Sequence, residues 1–263
     1  MVQGTEMLFA LFGGLAMFLY GMDRMSRALQ RAAGDAMKRL LARLTATPLL
    51  GVLTGLAVTA VLQSSSAATV MVIGFVSAGL LFEGIGILGR ALQPLAGQEV
   101  FLGWMTRVKE SPLLGILLGL GMTMVVQSSS ATIALLQNVA RQAGPDGIHS
   151  VLGLAGAVPV LLGDNIGTTV TALLACIGQG RDATRAALAH SCFNLTGSLL
   201  AAALLPGFVR LVELVSPKGP ELEVISRQIA NAHTLFNICC ALLWLPLLPW
   251  MVRLVCALVP EDR

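Results

Sequence analysis

Apolar runs separated by short polar clusters recur along the whole chain, and their lengths predict helices. Met7–Gly21 predicts a first helix that runs on into a basic segment at 24–43. Pro48–Leu62 and Ala67–Phe82 follow, then Pro112–Val126 and Ala131–Ala140. Each of the first three covers only about 22 Å, short of a bilayer core about 30 Å thick. Between these pairs, Gly79 to about Leu95 predicts one crossing. The runs Ile148–Gly178, Ala186–Val215 and Gln228–Leu258 are each long enough to span. Ser216–Arg227, with Pro217, Gly219 and Pro220, reads as a polar loop.

Two of the short pairs are copies of one another. Thr47–Ala67 and Ser111–Ala131 match at 14 of 21 positions, 64 residues apart. Both contain QSSS, as Gln63, Ser64, Ser65 and Ser66 and as Gln127, Ser128, Ser129 and Ser130. Two short half-helices meeting at QSSS predict a re-entrant hairpin with its tip near the midplane. Two ordinary crossings, or a packing turn of small residues, are the competing readings. The duplication reaches back to Arg27–Gln30 and Arg90–Gln93, so the helix before each hairpin is repeated too. One intervening crossing would invert the second unit relative to the first, as in secondary transporters.

Composition fixes the class. Hydrophobic residues are 56% and charged residues 12% of the 263, and mean hydropathy is +0.81. No charge occurs from Leu44 to Phe82 or from Ser111 to Ala140. This composition predicts an all-α, multi-pass integral membrane protein with the lipid bilayer as its surroundings. The apolar segments are too many for a secreted chain, and the N-terminus lacks a basic leader region. The net charge of +3 says little about partners, and no nucleic-acid-binding segment is visible. The basic residues of 24–43 read as positive-inside topology, which places that loop in the cytoplasm. All five cysteines lie in apolar stretches without metal-ligand spacing and read as buried structural thiols.

The polar insertions carry the chemistry. A half-helix that begins inside the membrane exposes unsatisfied N–H groups and a dipole end worth about +0.5 charge. Serine caps such an end and adds hydroxyls, so QSSSA builds an anion cradle. Two cradles supply roughly +1, whereas phosphate carries about −1.5 to −2. No Lys or Arg in either hairpin supplies the difference, and Asp164 adds a negative charge. Co-bound cations would supply it. The segment Gly163–Thr169, GDNIGTT, reads as a polar break in its helix, with a kinked helix whose threonines bond their own backbone as the alternative. His190 with Asn194, and His233 with Asn237, share helix faces and read as interhelical hydrogen-bonding scaffold. An intramembrane serine hydrolase would need one nucleophile with a positioned base, and neither triplet lies in GxSxG.

The paired QSSSA, the stretch LGDNIGTTVTALLA and the segments RAALAHSCFN and RQIANAHTLFN resemble the bacterial branch of the type II sodium–phosphate cotransporter family. The resemblance covers nearly the whole chain. It implies a non-enzymatic symporter in the bacterial cytoplasmic membrane, coupling inorganic phosphate to Na+ without an organic cofactor. Phosphate would sit at Gln63, Ser64, Ser65, Ser66, Gln127, Ser128, Ser129 and Ser130. Na+ would sit at Ser65, Ser66, Ser129, Ser130, Asp164, Asn165, Thr168 and Thr169. Residues 1–78 and 79–143 form the two repeats, and 144–263 the C-terminal helices with the broken helix.

One departure stands out. Gly163 follows Gln127 by 36 residues, but the position 36 after Gln63 is Glu99, in EVFLGWM. No NIGTT-like motif precedes Asn165, so the first repeat is shortened by two crossings. Three outcomes follow: transport with an asymmetric site, completion of the site by a homo-oligomer, or a transport-deficient homologue with a binding or structural role.

Overall fold

The computed structural model describes residues 13, 16, 20, 43–62, 107–126 and 128–260. Among them lie seven α-helices: α1 Pro48–Leu62, α2 Pro112–Val126, α3 Ser129–Ala140, α4 Gly153–Ala175, α5 Arg181–Ala203, α6 Leu205–Val215 and α7 Glu221–Leu258. There is no strand among the described residues beyond one isolated bridge, Ala143 to Ser150. The all-helical expectation holds. The run Ala67–Phe82, the crossing at 79–95, most of 7–43 and the first hairpin turn lie outside the described residues, as does Gln127.

The chain divides into two compact units. One comprises Met1–Leu92, Thr169–Ser191 and Trp244–Arg263; the other comprises Gln93–Thr168 and Cys192–Leu243. In the first, Thr47 accepts a hydrogen bond from Leu50 N at 3.2 Å and Pro48 opens α1. That is the combination a helix start favours, an oxygen on the orphan N–H and a proline that needs none. Farther along the same unit, Arg185 donates to the Val259 carbonyl at 3.0 Å and to Asp182 at 3.1 Å.

The second unit holds the contiguous core, with Met122, Leu136, Leu161, Leu162, Val212, Ile225 and Phe236 buried. Its helix α2 begins as α1 does: Ser111 accepts from Leu114 N at 3.4 Å, and Pro112 follows. Both helices run for 15 residues, so the sequence repeat is also a repeat of helix and cap. A two-residue link joins α2 to α3, and the two helices pack on one another. The loop from α3 to α4 is tied by Asp146, whose carboxylate accepts from the N–H groups of Ile148 and His149 at 3.0 Å each. Those bonds hold the Asp146 carboxyl below the usual carboxylate range.

Three expectations need correction. GDNIGTT does not break its helix: α4 is continuous from Gly153 to Ala175. Ala186–Val215 is not one helix but two, parted at Leu204, because Pro206 has no N–H to continue the ladder. The loop after it is shorter than Ser216–Arg227. Helix α7 already starts at Glu221, with Glu221 and Glu223 favouring the positive end of the helix dipole. Beside the parting at Leu204 a cavity of about 610 Å³ is lined by apolar side chains including Leu200, Phe208, Phe236 and Leu243.

Candidate functional site

Four glycines set the site. On α2, Gly115 and Gly119 face α4; on α4, Gly163 and Gly167 face α2. A Cβ on Gly119 would fall on the Val160 carbonyl, and one on Gly163 on the Ile116 carbonyl. A Cβ on Gly167 would stand 2.7 Å from that of Thr123. Each helix thus presents a small-xxx-small pair, the pattern that lets backbones approach closely where lipid gives no hydrophobic drive. The glycines of GDNIGTT are packing residues, and that is why its helix stays whole.

This approach brings Asp164 beside α2. Thr123 donates to Asp164 Oδ1 at 2.5 Å, the length of a charge-assisted bond to a carboxylate. Thr123 also lies 3.2 Å from the hydroxyl of Thr132 on α3. Thr132 in turn donates to the Ser128 carbonyl at 3.1 Å. Asp164 and Thr132 are fully buried, and Thr123 nearly so. The second carboxylate oxygen, Asp164 Oδ2, is buried and has no hydrogen-bond partner among the described residues. No Asp, Glu, Lys, Arg or His lies in 112–126, 129–140 or 192–203 to balance that charge. An unbalanced buried carboxylate costs several kcal/mol. Oxygen donors around such a carboxylate suit a hard cation.

Of the other expected residues, Ser128 is the N-cap of α3, its hydroxyl accepting from Ala131 N at 3.3 Å. Ser128 and Ser130 are exposed and Ser129 is half-buried, all at the start of α3. Asn165, Thr168 and Thr169 are buried on α4. The Asn165 amide donates to Leu161 O at 3.0 Å and the Thr168 hydroxyl to Asn165 O at 2.7 Å. Thr168 thereby spends its hydroxyl proton on its own helix, and Asn165 one of its two amide protons. Gln63, Ser64, Ser65, Ser66 and Gln127 lie outside the described residues. Among those described, no cluster of three or more His, Cys, Asp or Glu forms a metal site.

Of the expected His–Asn pairs, the Asn237 amide donates to His233 O of the same helix at 2.8 Å. All five cysteines are free thiols, and Cys240 alone is buried while Cys239 is exposed. Thr123 and Thr132 were not singled out by the sequence pattern. A signal existed for Thr123: it is one of the repeated positions, matched by Thr59, as Gly115 and Gly119 are matched by Gly51 and Gly55.

The site is thus a helix pair turned on a serine cap and laid against a helix with a buried carboxylate. Among the described residues three helices, α4, α5 and α7, are long and apolar enough to cross a membrane. The chain belongs to the Na+/Pi-cotransporter family, whose profile matches residues 17–83 and 80–218. It is 28% identical over 262 residues to the uncharacterized protein YqeW of Bacillus subtilis (strain 168), covering 76% of this chain and 83% of that one. It is 42% identical over 105 residues to sodium-dependent phosphate transport protein 2C of Rattus norvegicus, covering 37% of this chain and 15% of that one. Against protein 2B of Homo sapiens it is 43% identical over 91 residues, covering 33% of this chain and 12% of that one. The chain therefore spans only a small part of these mammalian relatives. No solved structure matches it.

Proposed function

We propose that the protein is a Na+-coupled symporter of inorganic phosphate in the bacterial cytoplasmic membrane, with no organic cofactor. The observation that carries this reading is the buried Asp164, one oxygen held by Thr123 and the other without a partner among the described residues. It stands one hydroxyl chain away from the serine cap of the second QSSS turn. Family membership and the names of the mammalian relatives support the same substrates.

In this reading the two QSSS turns, Gln63–Ser66 and Gln127–Ser130, are tips of re-entrant hairpins in inverted repeats. Their serine hydroxyls and orphan N–H groups hold phosphate. Na+ is held by oxygens of Asp164, Asn165, Thr168 and Thr169 together with Ser65, Ser66, Ser129 and Ser130. Two helix N-termini supply about +1 against a phosphate of about −2 and a carboxylate, so the anion enters only with cations.

The site is asymmetric. The first profile match is less than half as long as the second, in line with a first repeat lacking its own GDNIGTT helix. That asymmetry also favours the second reading, a shortened homologue that binds without transporting, or one whose site is completed by a second copy. Uptake of radiolabelled phosphate into proteoliposomes, with and without an inward Na+ gradient, tests the proposal. Gradient-dependent uptake is expected, and its absence in every lipid composition tried would sink the transport reading.

A further inference from the structure

Four oxygens stand in file in the second unit. Asp164 Oδ1, Thr123 Oγ1, Thr132 Oγ1 and the Ser128 carbonyl oxygen are separated by 2.5, 3.2 and 3.1 Å. Three gaps of hydrogen-bond length call for three protons, and the two hydroxyls bring one each. With a carboxylate at the head, the file is one proton short. Thr123 donates to the carboxylate, where the bond is charge-assisted. Thr132 is then divided between Thr123 and Ser128.

A cation at Asp164 ends that division. A hydroxyl that ligates a cation turns a lone pair toward it and its proton away. Thr123 then donates to Thr132, and Thr132 donates to Ser128. The Ser128 carbonyl already accepts the Thr132 N–H at 3.0 Å, so it gains a committed second donor.

We infer that Thr123 and Thr132, which belong to neither QSSS nor GDNIGTT, complete an alkali-cation site at Asp164 and pass its occupancy to the cap of the second QSSS turn. Thr123 is a ligand and Thr132 a positioning residue. The inference rests on the reading of Asp164 as a cation site. It adds a route by which the cation prepares the anion cradle: bound cation, reversed hydroxyl file, fixed Ser128. No covalent bond is made or broken; two hydroxyl rotations exchange the Thr123–Asp164 hydrogen bond for one from Thr123 to Thr132.

Isosteric Thr123→Val and Thr132→Val remove one hydroxyl each, and Thr123→Ser restores the first. The full chain is purified in lipid nanodiscs, and its Tm is followed against NaCl, with choline chloride holding ionic strength constant. A second series follows Tm against inorganic phosphate at fixed NaCl. Wild type should be stabilised by Na+, and Thr123→Val should need about tenfold more Na+ for half the effect. Thr123→Ser should stay within about twofold. Thr132→Val should leave the Na+ midpoint within about threefold while raising the phosphate midpoint by about fivefold or more.

Superimposable Na+ curves for wild type and Thr123→Val overturn the inference, as does a wild type indifferent to Na+. Should Thr123→Val fail to fold, Thr132→Val carries the test alone, and an unchanged phosphate midpoint there overturns it. Proteoliposome uptake separates this inference from the transport proposal. Na+ stabilisation sensitive to Thr123 in a chain that takes up no phosphate supports the inference and removes the transport reading. Na+-driven uptake unaltered by Thr123→Val removes the inference and leaves transport standing.

Discussion

Helices α1 and α2 are two copies of one sequence placed in different company. Both have 15 residues, both open with a hydroxyl cap and a proline, and both carry glycines at matching positions. On α2 the glycines are pressed against the α4 backbone, so that Gly119 has no room for a Cβ. On α1, a Cβ at Gly51 or Gly55 would meet nothing within 4 Å among the described residues. Duplication kept the small-residue face in both copies, but GDNIGTT, the partner that uses it, occurs once. A repeated motif therefore records a shared origin of shape. The use of that shape depends on what packs against it.

The sharpest way to break the comparison is to fill the glycines. Gly119→Leu or Gly163→Leu should cost about 3 kcal/mol or more, because backbone and not a flexible side chain blocks the space. Gly55→Leu should stay within about 0.5 kcal/mol, as for a surface change. Thermal unfolding of the purified variants reads both, and equal losses at Gly55 and Gly119 would erase the distinction between the two helices. Next in size is Asp164→Asn. It should raise stability in Na+-free buffer by about 2–4 °C for each kcal/mol of unbalanced charge removed. It should also flatten the dependence of Tm on Na+, and a variant less stable than wild type without Na+ would count against an empty cation site.

Ser128→Ala should cost about 1 kcal/mol through loss of the α3 cap. Ser64→Ala makes the same change in the first copy; an equal loss would extend the repeat to the first turn, and no loss would confine the cap to the second. The smallest effect belongs to Asp146→Asn in the α3–α4 loop. The Asp146 pKa is lowered by its backbone hydrogen bonds, so what it contributes is present above the ordinary carboxylate pKa of about 4 and is lost as pH falls through the lower folded value. Asp146 Oδ2 also lies 2.6 Å from His149 Nδ1, so the test is made with His149→Ala in both proteins. In that background wild-type Asp146 and the Asn variant should differ by a constant small amount around neutral pH and converge only in strong acid. A difference that changes between weakly acid and neutral pH would assign the titration to another group.

Much of this was legible in the sequence. The starts of Pro48–Leu62 and Pro112–Val126 were legible to the residue, because a hydroxyl followed by a proline marks each. A serine cap in the second QSSS was legible from helix chemistry alone. GDNIGTT was misread as a break, since two glycines and four polar residues resemble a loop in composition. What reverses the reading is tertiary: the glycines admit α2, and Asn165 and Thr168 bond their own helix. Thr123 carried only the mark of a repeated position, and Thr132 carried none, for a related reason. A threonine nine residues from another carries no pattern until the turn between them folds the helices together.

Helix α7 carries a practical consequence. Its 38 residues extend about 57 Å, whereas even a tilt of about 40° uses only about 39 Å of helix to cross a core about 30 Å thick. Some 18 Å of rod, roughly twelve residues, must therefore stand clear of the hydrocarbon. The end bearing Glu221, Glu223 and Arg227 is the polar one and reads as that projection, braced on one side by Ile225 and Ile229 in the second unit's core. Its exposed polar face is a natural grip for an antibody fragment, which would give a 27.5 kDa membrane protein the bulk and orientation that particle imaging needs.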